Sequence, residues 1–596
     1  MIARPLGELP HHDGSPDYLP IGTRPDILFP AVRVPVGWNV ERVQLRWCPD
    51  AEPRFVDAAL VGSDDEACWW RAELPLTNAV TRYRFLLSGP DGDHWLNAAG
   101  LHLTDVTDAA DFVVSSHEPP PAWVPGSVGY QIFPDRFARG GIDSPEADWA
   151  VPAEWDDSVA TDPRVAVHQV FGGDLGIESR LDHLSRLGVD LLYLTPVFPA
   201  RSSHRYDASS FDTVDPLLGG DDAYTSLIAA CHRRGIKVIG DLTLNHVGNH
   251  HQWFRRAQDD PDAVEASFFY FEEHPDRYRS WYGVPTLPKL DHRSTELRKR
   301  LIDGPDSVVA RWLQPSDGAE GLDGWRIDCA NVTGRLEHLD LNAEVARTVR
   351  RTMAATKPEA WLLAEHNYDA SADLAGDGWH GTMAYHWFTV PVWNWLAAPG
   401  DYDTLSRRSG YGGDVMAASI RQLMAGTPWS AITASMTLLD SHDCARFRSV
   451  AASAERHLAG MTMLLTFPGV PVIFAGSELG VTGSDMNQAR VPFPWDAEWD
   501  TDFLADVTSL IELRRRNTVL QLGSLRWIQA SQDSVTFLRE LDDERWLVHV
   551  ARDAHDPVEL TGLGGGSWQP EFGDLRLEDG MVGAPRAGGW VWRSVR

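Results

Sequence analysis

The feature that most constrains the fold is an alternation of short apolar runs with amphipathic helices, which begins near residue 127. LGVDLLYLTPVF (187–198) and IKVIGDLTLNHVG (236–248) are nearly continuous apolar runs, and the helical pattern DDAYTSLIAACHRRG (221–235) separates them. Runs of this type are typical of strands buried on both faces, as in parallel sheets. Strands that alternate with helices indicate βαβ units. Because the alternation continues through the segment 123–512, it favours a (β/α)8 TIM barrel over a doubly wound sheet.

The segments on either side of this barrel have a different pattern. VRVPVGWNVERVQLRW (32–47) and TRYRFLLSG (81–89) indicate short strands, and the Pro-rich stretch EPPPAWVP (118–125) is typical of a linker. We therefore predict an N-terminal β-sandwich over 1–122, and a second one over 513–596. The chain between the third and fourth barrel strands is too long for one helix and its loops, which predicts an inserted subdomain at about 247–305.

Charge and cysteine content exclude several classes of partner. The formal net charge of −32 opposes binding to nucleic acid or to an anionic membrane surface. No apolar stretch reaches about 18 residues, so no membrane span is expected. The five cysteines are scattered without a CxxC pair, and the N-terminal stretch lacks the pattern of a secretory leader. These features predict a cytoplasmic protein with free thiols.

Polar residues end several of the predicted strands. In a barrel the chemistry lies at the carboxyl ends of the strands, so these residues are expected to converge. They are Asp241, Asn245 and His246; Arg326 and Asp328; Glu365 and His366; and His442 and Asp443. Three converging carboxylates are compatible with a divalent metal site, with proton abstraction next to a carbonyl group, or with glycoside hydrolysis.

The neighbours of these carboxylates favour glycoside hydrolysis. Arg326 shares a strand face with Asp328, which opposes a bound cation, and no strand ends in the lysine that proton abstraction usually adds. Glycoside hydrolysis needs one ionised and one protonated carboxyl group. An arginine within about 4–6 Å lowers the pKa of an aspartate by roughly 1–3, so we expect Arg326 to keep Asp328 ionised. Glu365 follows the apolar run WLLA, which favours a protonated acid.

The strand ends also resemble the motifs of the α-amylase family of glycoside hydrolases, family 13. The principal four are DLTLNH (241–246), GWRID (324–328), LLAEH (362–366) and LLDSHD (438–443). Four further segments fit the same family in the same order: VGYQIFPDRF (128–137), SHRYD (203–207), LPKLD (287–291) and FPGVPVIFAGSELG (467–480). The flanking β domains and the YQIFPDRF and DSHD variants are most similar to its neopullulanase, cyclomaltodextrinase and maltogenic amylase group.

The resemblance implies a role for each site residue. Asp328 would be the nucleophile, Glu365 the acid/base and Asp443 the stabiliser of the transition state. The implied sugar-binding residues are Tyr206, His246, Arg326, His442 and Arg446, with support from Asp241, Asn245 and His204. The reaction would be retaining hydrolysis of α-1,4 and also α-1,6 bonds in cyclodextrins, maltodextrins, pullulan or cyclic maltosyl-maltose, and it implies a carboxyl separation of about 5–5.5 Å. A transglycosidase and a non-catalytic glucan-binding protein stay open as alternatives.

Two departures from the group bear on specificity and cofactors. His366 and Asn367 follow Glu365, whereas the group usually has a tryptophan two residues after this glutamate, so the balance of hydrolysis and transglycosylation stays open. The group often has a calcium site on an Asn-Gly-Asp run, but here the run is RGG (139–141), with Asp143 and Asp174 nearby. Arg139 opposes that ion, so we expect no required cofactor, with calcium as the alternative. The N-terminal sandwich, carbohydrate-binding-like in this group, often completes a neighbour's active site, which leaves monomer and homodimer open.

Overall fold

Eight parallel strands form a barrel at the centre of the computed structural model, which describes residues 4–20, 26–141, 145–398 and 410–595. The barrel strands are β1 (Gly129–Ile132), β2 (Leu191–Leu194), β3 (Lys237–Thr243), β4 (Gly324–Asp328), β5 (Trp361–Ala364), β6 (Gly381–Thr382), β7 (Met436–Leu438) and β8 (Val470–Phe474). The sheet order is β6-β5-β4-β3-β2-β1-β8-β7, and a parallel bridge between Met383 and Met436 brings its two edges together. The predicted (β/α)8 TIM barrel is confirmed.

The strands are apolar on both faces because each face packs against a different layer. Inside the barrel, side chains such as Tyr193, Trp361 and Leu438 form one buried cluster. Outside it, Leu192 and Leu242 belong to the larger core beneath the helices. The principal helices of the barrel segment are Leu181–Leu187, Gly220–Arg233, Val308–Leu313, Asn342–Thr356, Val390–Leu396, Gly413–Met424, Ala454–Thr466 and Thr501–Arg516. Shorter helices are Pro163–Ala166, Ser371–Leu374, Trp429–Thr433, Phe447–Ala451, Met486–Ala489 and Thr518–Leu522.

The insertion between β3 and β4 folds over the carboxyl end of the barrel. It contains the helices Gln252–Asp259 and Thr295–Leu301, and a short antiparallel pair of strands, Phe271–Glu273 and Arg277–Tyr278. A backbone bridge between His246 and Lys289 connects it to the segment that follows β3. The insertion thereby places its own side chains beside the polar ends of the barrel strands.

Two β-rich units flank the barrel. The N-terminal one has a six-stranded and a three-stranded sheet around a core that includes Trp38, Leu45 and Phe85. Its strands are Ile27–Leu28, Ala31–Pro35, Arg42–Trp47, Arg54–Asp57, Ala59–Ser63, Ala67–Arg71, Leu74–Pro75, Val80–Gly89, Gly92–Asn97, Gly100–His102 and Phe112–Ser115. The C-terminal strands are Arg526–Ala530, Ser534–Leu541, Glu544–Ala551, His555–Glu559, Ser567–Phe572, Met581–Ala584 and Gly588–Val595. The predicted boundary at 512 falls inside the helix Thr501–Arg516. Among the described residues, no helix has the length and apolar character needed to cross a membrane.

Candidate active site

One arginine lies between four carboxylates at the carboxyl end of the barrel. Arg326, on β4, is fully buried. Its Nη1 atom lies 2.9 Å from both side-chain oxygens of Asp241 and 3.0 Å from Oδ1 of Asp328. Its Nη2 atom lies 3.0 Å from Oε2 of Glu365 and 3.8 Å from Oδ2 of Asp443. The barrel therefore brings the three predicted catalytic acids and the predicted supporting Asp241 onto a single guanidinium.

Asp328 and Glu365 present their oxygens differently. The residue Asp328 is 6% exposed, and within the described part of the chain its Oδ2 atom has no hydrogen-bond donor. Glu365 Oε2 accepts a hydrogen bond of 2.7 Å from the backbone N–H of Cys329, and Asn367 Nδ2 lies 3.4 Å from Oε1. Asp328 thus has an oxygen available to a substrate, whereas the backbone of the neighbouring strand end fixes the orientation of Glu365.

Burial has the largest effect on the pKa values of Asp328 and Asp241. It raises the pKa of Asp328 well above its usual range, Arg326 opposes the change, and the charges of Glu365 and Asp241 add to it. Burial also raises the pKa of Asp241 to about 6. Arg326 lowers the pKa of Asp328 as predicted, but the burial of this carboxyl group has the larger effect, so the net change is upward.

Tyr206 and His442 form one wall of the site. Their rings stack with centroids 5.5 Å apart and an interplanar angle of 9°. The Tyr206 hydroxyl donates to Asp241 Oδ2 at 2.8 Å and lies 2.6 Å from His442 Nε2. His204 Nδ1 accepts from the backbone N–H of Tyr206 at 3.1 Å and so supports the loop that carries this ring. Tyr206 is half-buried, and its aromatic ring is the kind of flat surface that contacts the C–H face of a sugar.

His246 and the insertion form the opposite wall. The ring of Trp281 stacks on His246 with centroids 5.5 Å apart, and His246 Nε2 lies 4.0 Å from Asp328 Oδ2. Asn245 Nδ2 lies 3.1 Å from His246 Nδ1, and Lys289 Nζ donates to Asn245 Oδ1. Burial lowers the pKa of His246 to about 3, so its imidazole is neutral near pH 7. A neutral, fixed imidazole is suited to hydrogen-bond a sugar hydroxyl.

Two arginines near Asp443 have different environments. Arg446 is 1% exposed, and its Nε atom donates to the carbonyl oxygen of Ala489 at 2.8 Å. The predicted contact between Arg446 and substrate is therefore corrected, since its guanidinium lies within the protein core. Arg490 Nη2 lies 3.4 Å from Asp443 Oδ1, and its Nε atom donates to the carbonyl oxygen of His442 at 2.7 Å. Sequence reasoning missed Arg490, because it lies in an irregular segment without a strand pattern.

Two tyrosines that the sequence did not single out lie at the rim. Tyr282, in the insertion, is 78% exposed, and its ring packs edge-on against Trp281 with centroids 4.9 Å apart. Tyr368, three residues after Glu365, is 61% exposed. The proximity of Tyr368, with smaller effects that include Glu365, raises the pKa of Tyr282. The two rings therefore lie close together on the side of Glu365.

In the segment that carries calcium in the resembled group, the described residues place nitrogen donors beside the available oxygen atoms. Arg139 Nη2 donates to the carbonyl oxygen of Phe171 at 2.7 Å. Asp174 Oδ1 accepts from the backbone N–H of Gly140 at 2.8 Å. Calcium requires a shell of oxygen ligands, and this loop places a guanidinium and N–H donors there instead. Asp143 lies outside the described residues.

Comparison with known proteins finds a matching family model and several named relatives. Residues 131–514 match the family model described as "Alpha amylase, catalytic domain". The chain is 28% identical over 540 residues to a cyclomaltodextrinase of Bacillus sp., covering 87% of this chain and 90% of the relative. It is 30% identical over 564 residues to neopullulanase 2 of Thermoactinomyces vulgaris, covering 91% of this chain and 86% of the relative.

A solved structure extends this comparison to the level of the fold. The cyclic alpha-maltosyl-(1-->6)-maltose hydrolase of Arthrobacter globiformis has a TM-score of 0.67 and 28% identity, and the match covers 80% of this chain and 100% of that protein.

Proposed function

The chain belongs to the α-amylase family, and from this premise we propose that it is a retaining hydrolase of short or cyclic α-glucans. One observation carries the proposal: Arg326 contacts the carboxylates of Asp241, Asp328, Glu365 and Asp443, while among the residues that the structure describes no backbone N–H or side-chain N–H donates to Asp328 Oδ2. A buried carboxylate oxygen beside a second, oriented carboxyl group supports double displacement at an anomeric carbon.

The reaction follows from the two oxygen environments. Asp328 Oδ2 attacks the anomeric carbon while Glu365 donates its proton to the departing glycosidic oxygen. A covalent glycosyl ester on Asp328 results, and Glu365 then accepts a proton from the water that releases the sugar. The carboxylate of Asp443 balances the positive charge that develops on the sugar ring, while Arg326 positions the carboxyl groups of Asp328 and Glu365. Tyr206, His442 and His246 hold the ring, with Asp241, Asn245 and His204 behind them.

The substrate class rests on the relatives and on the rim. Relatives named for cyclomaltodextrins, for pullulan and for cyclic maltosyl-maltose favour α-1,4 and α-1,6 bonds in cyclic or short chains. Tyr282 and Tyr368 offer ring faces to the leaving part of the glucan, where the usual tryptophan is absent. The free state of the five cysteines supports a reducing, cytoplasmic location. A transglycosidase on the same residues is the second candidate, favoured if sugar rather than water reaches the Asp328 ester.

A product profile tests the proposal. Purified protein is incubated with equal concentrations of cyclodextrin, maltodextrin, pullulan and cyclic maltosyl-maltose, with Asp328→Asn as control. We expect the cyclic substrates to be opened fastest and the first-formed products to have the α configuration by proton NMR. Products of β configuration would refute the retaining mechanism. Products longer than the substrate would establish the transferase, and glucan binding without turnover would establish a non-catalytic protein.

A further inference from the structure

Three metal-ligating side chains meet at the nucleophile. Nε2 or Nδ1 of His246, a carboxylate oxygen of Asp328 and Sγ of Cys329 lie within 4.8 Å of one another. The three residues are 1%, 6% and 9% exposed. Within the described part of the chain, His246 Nε2 and Asp328 Oδ2 have no hydrogen-bond partner, and they lie 4.0 Å apart. These two buried atoms and the Cys329 sulfur atom therefore share one small volume, in which the thiol lies beside the Asp328 carboxyl group and interacts with it.

The backbone makes this cluster possible. Cys329 follows Asp328 directly, and its φ of 49° lies in the left-handed region, which few residues other than glycine adopt. The strand has ended at Asp328, so the side chain of Cys329 does not continue the alternation that would direct it away from Asp328. Imidazole, thiolate and carboxylate form a ligand set that zinc takes in proteins.

The local charge also favours a cation. Four carboxylates share the guanidiniums of Arg326 and, at Asp443, Arg490, so the cluster has more potential negative than positive charge. Arg326 contacts Asp328 through Oδ1, and Oδ2 is on the side of His246. Arg326 therefore opposes a hard cation beside Asp328 Oδ1, but it leaves Asp328 Oδ2 available to a softer metal ion.

We propose that His246, Asp328 and Cys329 form a binding site for Zn²⁺ that competes with substrate. A tetrahedral zinc ion with bonds of about 2.0–2.3 Å holds its ligand atoms about 3.3–3.8 Å apart, so closure requires shifts of roughly 1 Å or less. The ion forms bonds to His246 nitrogen, Asp328 oxygen and Cys329 sulfur, and the thiol proton passes to the buffer. The fourth position is left to water. Because the ion occupies Asp328 Oδ2, the nucleophile is blocked while zinc is bound.

Metal binding is measured first without any substrate. Wild-type protein, Cys329→Ala and Cys444→Ala are titrated with ZnCl₂ by calorimetry in metal-free buffer, and with Co²⁺ by absorption spectroscopy. Cys444 is a matched control, since it is also buried and also follows a catalytic carboxylate, while its sulfur contacts the backbone of Ser441. We expect a thiolate-to-cobalt band in wild type and Cys444→Ala, and none in Cys329→Ala. Loss of a direct ligand should weaken zinc binding by at least about 100-fold.

The second measurement is the inhibition of glucan hydrolysis by zinc, and its interpretation rests on the proposed function. Zinc should raise the apparent KM for the best glucan substrate without lowering kcat. In Cys329→Ala the zinc concentration needed for the same relative inhibition should rise by about the same factor as the loss of zinc affinity, with each protein compared with its own zinc-free rate. The cobalt band does not depend on turnover, so failure of the proposed hydrolase and failure of the metal site are distinguishable. Should Cys329→Ala fail to fold, Cys329→Ser replaces it, since serine has nearly the same size and cannot give a thiolate-to-cobalt band. Absence of the cobalt band in wild type, or equal zinc affinity in Cys329→Ala, would overturn the site.

Discussion

Replacing Arg326 with methionine tests whether the four carboxylates depend on its charge. Methionine retains much of the apolar stem and removes the guanidinium, whose nitrogens lie 2.9 Å from Asp241, 3.0 Å from Asp328 and 3.0 Å from Glu365. Removing one member of a buried ion pair costs about 3–5 kcal/mol, since the partner charge is left uncompensated. We expect the free energy of unfolding to fall by about that amount near pH 8.

The loss of unfolding free energy in Arg326→Met should increase as pH rises. Burial raises the pKa of Asp328 and Asp241, and Arg326 opposes the change in both. Without Arg326 both pKa values rise further, so the folded variant binds more protons than its unfolded chain. Stability then falls as pH rises. The difference between wild type and variant should therefore grow from about pH 5 to about pH 8, and shrink where the carboxyl groups are protonated in both proteins.

The assay is urea unfolding followed by tryptophan fluorescence at several pH values. The matched control is Arg514→Met, because Arg514 is also fully buried but donates to the backbone carbonyls of Phe467 and Leu520 rather than to carboxylates. Burial lowers the pKa of Arg514 to about 9, so its loss should destabilise the fold with little change between pH 5 and pH 8. A loss below about 1 kcal/mol in Arg326→Met, or a loss independent of pH, would refute the view that this guanidinium balances the cluster.

Three further predictions address the reaction. Glu365→Gln should lower kcat by about 10²–10⁴ on the best glucan, since it removes the proton donor, and an unchanged rate would exclude Glu365 from the mechanism. Asp241→Asn should move the acidic limb of the kcat/KM profile to lower pH, because the charge of Asp241 raises the pKa of Asp328; a limb at higher pH would contradict this. Tyr282→Ala should raise KM for cyclic glucans roughly tenfold, equivalent to about 1.4 kcal/mol, while Phe55→Ala, which truncates another exposed ring, should leave KM unchanged. Equal KM values in the two variants would remove Tyr282 from substrate binding.

The barrel and the converging acids could be predicted because both depend on local pattern. A strand packed on both faces must be apolar throughout, and the change to Asp, Glu or His marks its carboxyl end. Side chains alternate between the two faces of a strand, so Arg326 and Asp328, which are two residues apart on β4, lie on the same face. This shared face explains the contact between them. Convergence of these ends then follows from barrel closure, without any knowledge of side-chain contacts.

The remaining features depend on contacts between distant segments. Arg446 has the composition of a surface residue in the sequence, but Ala489 and Phe474 from later segments enclose its guanidinium. Arg490 reaches Asp443 from an irregular stretch that no periodicity describes. Tyr282 is 78% exposed and has a backbone φ of 48°, and a pattern of apolar residues encodes neither property. Such features are decided by tertiary packing.

A shared arginine also links the two steps of the proposed reaction. Its Nη1 atom lies 3.0 Å from Asp328 Oδ1 and its Nη2 atom lies 3.0 Å from Glu365 Oε2, so one rigid guanidinium holds the two carboxyl groups relative to each other. In the proposed reaction Asp328 becomes a neutral ester in the first step, which removes one negative charge from the surroundings of Arg326, while the contact with Glu365 remains. Because a planar guanidinium cannot bend between its two nitrogens, the same contact orients Glu365 toward the departing oxygen in the first step and toward the attacking water in the second.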